Sequence, residues 1–164
     1  MSPVRTEVRI SSLATPGDAA AFRAISEEWL SRLFAVTEDD RAVLDDPVDE
    51  VVDRGGDVLL AHIDDGEVVG CVALLNHGDG VYELAKLGVT PRAQGRGIGR
   101  RLVAAALARA VELGGRRAFL GTSSLLVHAL HLYRDAGFRH ITRDELPVAD
   151  YYARADILMD MSLA

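Results

Sequence analysis

Between Val89 and Arg101 the chain reads Val89-Thr90-Pro91-Arg92-Ala93-Gln94-Gly95-Arg96-Gly97-Ile98-Gly99-Arg100-Arg101, with glycine at three alternate positions. Glycine reaches left-handed backbone without a Cβ penalty, so this run is a turn. An apolar, strand-like segment (Leu84 to Val89) leads into it. An Ala/Leu/Val-rich segment with no Gly or Pro from Arg100 to Leu113 leads out. A strand, a glycine turn and a helix in that order aim several bare backbone N–H groups at one spot, and the helix dipole adds partial positive charge there. Four arginines and no acid lie between positions 92 and 101, in a chain of net charge −7. The residues point to a bound polyphosphate.

Spacing narrows the choice. A dinucleotide fingerprint needs Gly where Arg100 stands and an acid about 20 residues on at the end of a strand, and neither is present. A P-loop needs Gly-Lys-Ser/Thr, also absent. Gln94-Gly95-Arg96-Gly97-Ile98-Gly99 instead resembles the Q/R-x-x-G-x-G/A motif of the GCN5-related N-acetyltransferase (GNAT) superfamily. Further on, Ala129, Leu132, Tyr133, Gly137 and Phe138 resemble its A-x-x-L-Y-x-x-x-G-F signature. The resemblance covers Val68 to Ile141. It implies acetyl-CoA as acyl donor and no metal, with the pyrophosphate on the loop formed by Gln94, Gly95, Arg96, Gly97, Ile98, Gly99 and Arg100. It also implies a pantetheine arm antiparallel to Leu87, Gly88 and Val89. Ser123 stands where many relatives carry Asn and reaches less far; Arg92, Arg96 and Arg100 are candidates to assist the phosphates.

Acetyl transfer to an amine requires neutral nitrogen, and a lysine-like amine of pKa about 10.4 is only about one part in a thousand neutral at pH 7. A base is therefore useful, and the departing thiolate benefits from a proton. The resemblance places Tyr133 by the thioester sulfur as general acid. It places Glu83, six residues before Val89, at the position of the catalytic Glu in the histone-acetylating branch. Strand alternation puts Glu83, Ala85, Leu87 and Val89 on one face and Lys86 on the other, where it has a neighbouring acid to pair with. A structural, salt-bridged Glu83 and a Tyr133 that only packs against pantetheine are the plainer alternatives.

Composition bounds the rest. With 164 residues, 49% hydrophobic and 26% charged, the chain reads as one domain over 1–164. No run reaches the ~18 apolar residues of a membrane span, and none resembles a signal peptide, so a cytoplasmic protein without membrane partners is expected. Its one cysteine, Cys71, sits in an alternating stretch and reads as core. Twelve acids against Arg41 and Arg54 between Glu38 and Glu67 argue against a nucleic-acid partner.

Periodicity predicts a strand over Glu7 to Leu13, a helix N-capped by Asp18, and helices over Glu38 to Leu44 and Val48 to Arg54. A hairpin over Val58 to Ile63 and Val68 to Leu75 follows, then a strand over Val81 to Val89 and the helix from the glycine turn. Arg117 to Leu120, a helix over Leu125 to Ala136, and strands over Phe138 to Ile141 and Ala155 to Met161 complete the chain. This is an α/β (α+β) pattern: a mixed, mostly antiparallel sheet of six to seven strands with helices on both faces. It matches the GNAT fold, whose sheet splays between the fourth and fifth strands.

The acceptor pocket implied by the family lies between the first two helices and the loop before the last strand. Here that names Glu27, Glu28, Trp29, Phe34 and Asp39 on one side, and Asp150, Tyr151, Tyr152 and Arg154 on the other. Glu28, Trp29, Tyr151 and Arg154 are the substrate-binding candidates. Arg154 has the fork to hold a carboxylate bidentately; the tyrosine pair also suits a homodimer contact or a plain turn. The expected activity is acetylation of a primary amine, of a small molecule first, with a protein N-terminus or lysine as the alternative. A non-catalytic acyl-CoA sensor and an unrelated nucleotide-binding protein are the rivals.

Overall fold

The computed structural model describes residues 7–149, 151 and 154–163. Seven strands form one sheet: β1 (Arg9–Ser12), β2 (Asp57–Ile63), β3 (Glu67–Asn76), β4 (Val81–Val89), β5 (Arg117–Thr122), β6 (Arg139–Ile141) and β7 (Ile157–Ser162). Their order is β1-β2-β3-β4-β5-β7-β6, antiparallel throughout except for β4 beside β5. Helices α1 (Pro16–Leu33) and α2 (Glu38–Asp45) cover one face, packing Phe22, Ile25, Leu30 and Leu44 onto Val58, Leu60, Cys71 and Ala73. Helices α3 (Ile98–Glu112) and α4 (Val127–Ala136) cover the other, where Leu102, Ala106 and Tyr133 meet Val72, Leu74 and Leu84. The expected α/β architecture with seven strands is what the chain forms.

Local chemistry sets the helix ends, and corrects one of the expectations. Thr15, not Asp18, is the N-cap of α1: its hydroxyl accepts from the Asp18 amide at 3.1 Å, and the Asp18 carboxylate accepts in return from the Thr15 amide. Pro16 occupies the first turn, where its missing N–H costs nothing, and so moves the start of the helix ahead of Asp18. Thr37 and Asp40 form the same reciprocal pair at α2. The helix expected over Val48 to Arg54 shrinks to one π-helical turn, Val48–Val52.

A second correction concerns β4. Gly88 pairs with Cys71 and Ala85 with Ala73, so two residues of β4 oppose the single Val72. The extra residue is taken up at Lys86, whose φ of 56° is left-handed. Strict alternation fails there. Tyr82, Leu84, Leu87 and Val89 pack with the α3/α4 cluster, whereas Ala85 packs with the α1/α2 cluster. Glu83 thus does not share a face with Leu87 and Val89. Gly88 faces α1, where a Cβ would lie 2.8 Å from Trp29 Nε1.

A left-handed lysine costs on the order of 1–3 kcal/mol and persists only when its surroundings dictate it. They do: Lys86 Nζ donates to Asp40 Oδ1 at 2.6 Å, and both Arg154 terminal nitrogens donate to the same carboxylate at 2.7 Å. Asp40 is fully buried. Burial alone pushes a carboxyl up, but the hydrogen bonds from Arg154 and Lys86 outweigh it and hold Asp40 well below the ordinary range. Removing one partner strands two cations, so Asp40→Ala is expected to lower the unfolding free energy by about 3–5 kcal/mol in denaturant titration. A loss within experimental error contradicts this. Because the folded-state pKa is depressed, the contribution is fully present above the ordinary carboxylate value of about 3.9 and is lost as pH falls below it.

Candidate active site

β4 and β5 pair only over Val81–Glu83 with Arg117–Phe119, then part. The opening is a cleft of about 650 Å³ between the rest of β4, the end of β5, the glycine turn, α1 and α4. The turn builds one end. Thr90-Pro91 starts a short 3₁₀ turn (Pro91–Ala93) that buries Ala93, and Gln94 Nε2 donates back to the Val89 carbonyl at 3.1 Å. Gly95 and Gly97 are left-handed, at φ of 80° and 77°, and Gly97 is the N-cap of α3. Among the described residues, none of the amides from Gly95 to Arg100 donates to a backbone carbonyl. Such a row of amides at a helix start is an anion site.

The candidate residues converge. Leu87, Gly88, Val89, Gln94, Gly95, Gly97, Ile98, Gly99, Arg100 and Ser123 all line the cleft, as do Glu83 and Tyr133. Arg96 does not. Among the other arginines, Arg100 pairs with Asp135 at 2.8 Å and Arg92 pairs with Glu67, both on the surface. The Ser123 hydroxyl accepts from the Leu125 amide at 3.1 Å and so helps shape the turn into α4.

Tyr133 is buried on α4, its ring edge-on to Phe138 with centroids 5.9 Å apart. Gly137, left-handed at φ 111°, ends the helix and lets Phe138 fold back beneath Tyr133. Burial raises the phenol further above its ordinary value near 10, so it stays protonated at neutral pH. Burial also pushes the Cys71 thiol up to about 12, which makes it a core group and not a thiolate nucleophile.

Glu83 is 4% exposed, and both of its oxygens are engaged. Oε2 accepts from the Tyr151 hydroxyl at 2.6 Å, and Oε1 contacts His77 Nε2 at 2.9 Å. Tyr151 was expected at the acceptor and lines the cleft there, but its hydroxyl is spent on Glu83. His77 escaped the sequence reading. Leu75 pairs with Glu83 across the β3–β4 hairpin, which makes His77 the diagonal neighbour on the same face. A hairpin drawn with its register would have found it.

On the acceptor side, Glu28, Trp29, Phe34, Tyr151 and Arg154 line the cleft. The carboxylate that Arg154 grips is the protein's own Asp40, and its guanidinium also lies 5.5 Å over the Phe34 ring. Glu28 pairs with Arg32, and Glu27 turns away to Arg23 and Arg41. Asp39 does not line the cleft, and Asp150 and Tyr152 lie outside the described residues.

The same fold is found in known proteins. Residues 21–138 match the acetyltransferase (GNAT) family. The N-acetyltransferase YjgM of Escherichia coli (strain K12) is 30% identical over 147 residues, 85% of this chain and 84% of its own. A GNAT-family acetyltransferase from Staphylococcus aureus Mu50 superposes with a TM-score of 0.87 at 19% identity, covering 96% of this chain and 100% of that one. yncA from Salmonella typhimurium, solved with its cofactor acetyl-CoA, superposes with a TM-score of 0.71 at 23% identity, covering 96% and 94%. At these identities the superpositions speak for the fold alone. The chain belongs to the acetyltransferase (GNAT) family and is an acetyl-CoA-dependent N-acetyltransferase.

The left-handed turn can be tested directly. Gly97→Ala puts a Cβ where left-handed backbone costs about 1–2 kcal/mol; the free turn is expected to relax and to bear that cost on binding, so coenzyme A should bind roughly tenfold more weakly in calorimetry. Wild-type affinity would mean that the turn's geometry does not hold the cofactor.

Proposed function

We propose that this protein acetylates a primary amine of a small molecule, by direct attack on acetyl-CoA within a ternary complex. The observation that carries the reading is one cleft faced at once by the glycine turn, Glu83 and Tyr133. The amides from Gly95 to Arg100 take the coenzyme's diphosphate, supported by the α3 dipole. Its pantetheine arm lies along Leu87, Gly88 and Val89, on the edge of β4 that β5 has left.

Glu83 takes one proton from the acceptor's ammonium group, directly or through water, and leaves a neutral nitrogen. That nitrogen attacks the thioester carbonyl carbon; the C–N bond forms, and the C–S bond breaks as the tetrahedral intermediate collapses. Tyr133 donates its phenolic proton to the departing sulfur and is replenished by the second proton of the nitrogen. The products are an amide, the free thiol of coenzyme A and one proton released through Glu83. A phenol kept protonated by burial suits the acid's part. Trp29 and Phe34 on one side and Tyr151 and Arg154 on the other narrow the acceptor end, which suits a small amine better than a folded protein's surface.

The test is thiol release from acetyl-CoA across a panel of amino acids, polyamines, aminoglycosides and peptides. Turnover with a small amine is expected; release with peptides alone would move the acceptor class, and none with any amine would make the protein a sensor. Glu83→Gln and Tyr133→Phe are each expected to lower kcat by about 10²–10⁴ with little change in acetyl-CoA affinity. Wild-type kcat in both would leave transfer to positioning alone.

A further inference from the structure

We infer that His77 is the positioning residue for the base: it pins one carboxylate oxygen of Glu83, Oε1, and so holds the other, Oε2, toward the cleft. The inference rests on Glu83 being the proton acceptor.

A carboxylate has two oxygens and a soft terminal torsion, so a buried one without fixed partners presents either oxygen in a spread of directions. Here each oxygen has its own donor. The Oε2 side belongs to Tyr151, which lines the cleft. The Oε1 side belongs to His77, which does not line it. Oε2 is therefore the oxygen an incoming N–H meets, through the lone pair that the Tyr151 hydroxyl does not use. To hold Oε1 the imidazole must donate, so the inference requires His77 in its Nε2–H form.

The histidine is itself held. Its backbone N–H donates to the Val81 carbonyl at 2.9 Å, and its ring lies against Phe119 with centroids 5.2 Å apart. The hairpin turn after it has three consecutive left-handed residues, Gly78, Asp79 and Gly80, which fold the chain back so that His77 stands over Glu83. Nothing in packing alone requires a donor here; a phenyl ring would meet Phe119 as well. The side chain is still 30% exposed, so the site tolerates replacement.

The experiment compares His77→Phe, which keeps the ring but loses the donor, with His77→Gln, which keeps a donor, in the wild-type and Glu83→Gln backgrounds. In the wild-type background His77→Phe is expected to lower kcat about tenfold to a hundredfold, part of the loss expected from removing the base itself. The KM for acetyl-CoA is expected to stay unchanged, and His77→Gln to recover much of the rate. In the Glu83→Gln background His77→Phe is expected to cost nothing more, because both changes act through one group. Wild-type kcat in His77→Phe, or an equal fall in both backgrounds, overturns the inference and leaves acetyl transfer standing. No thiol release from the wild-type protein with any amine overturns the transfer reading, and this inference with it.

Discussion

The buried cluster of Asp40, Lys86 and Arg154 is the constraint on which the rest of the site depends. It joins α2, the middle of β4 and the segment before β7 at one fully buried carboxylate. Without that anchor a lysine has no reason to sit in left-handed backbone, and the bulge it creates would relax toward regular pairing. The bulge swaps the faces of β4 past Ala85. It sends Leu87 and Val89 toward α3 and leaves Gly88 close beneath Trp29 of α1. The geometry of the cleft wall thus follows from an ion pair and not from local propensity.

The same arrangement separates two kinds of work. The turn from Gly95 to Arg100 offers backbone amides, whose direction is set by two left-handed glycines and the first turn of α3. The chemistry we propose falls to side chains from other elements, Glu83 on β4 and Tyr133 on α4, both almost removed from solvent. Low exposure strengthens each polar contact they make and keeps the phenol protonated. The side chains of the surface arginines near the turn have acidic partners of their own: Arg92 and Arg100 are matched to Glu67 and Asp135 in screened, solvent-exposed pairs.

What could be read from the chain alone was whatever local pattern controls. The glycine turn and the strand and helix order rest on periodicity and turn chemistry, the Leu132-Tyr133 and Gly137-Phe138 pairs on the family resemblance, and they stand in the structure with ends shifted by a few residues. Gly88 marks this strand for a close approach or a bulge, but nothing in Ala85-Lys86-Leu87 announces a left-handed lysine; the reason lies 46 residues away at Asp40. Arg154 was read as free to take a substrate's carboxylate because its partner is 114 positions distant. Asp18 is a good capping type, but so is Thr15, and Pro16 between them decides for Thr15. His77 needed the hairpin register, which pairing sets and composition does not.

The proposed hold on the cofactor is made by main-chain hydrogens at the start of α3. The most direct measurement is amide NMR of the labelled protein titrated with coenzyme A and, separately, with pantetheine, which lacks the diphosphate. Large shifts and slowed exchange at the amides of Gly95 to Arg100 with coenzyme A, absent with pantetheine, are predicted. Unmoved resonances in that segment while coenzyme A binds elsewhere, or equal effects from both compounds, would contradict it.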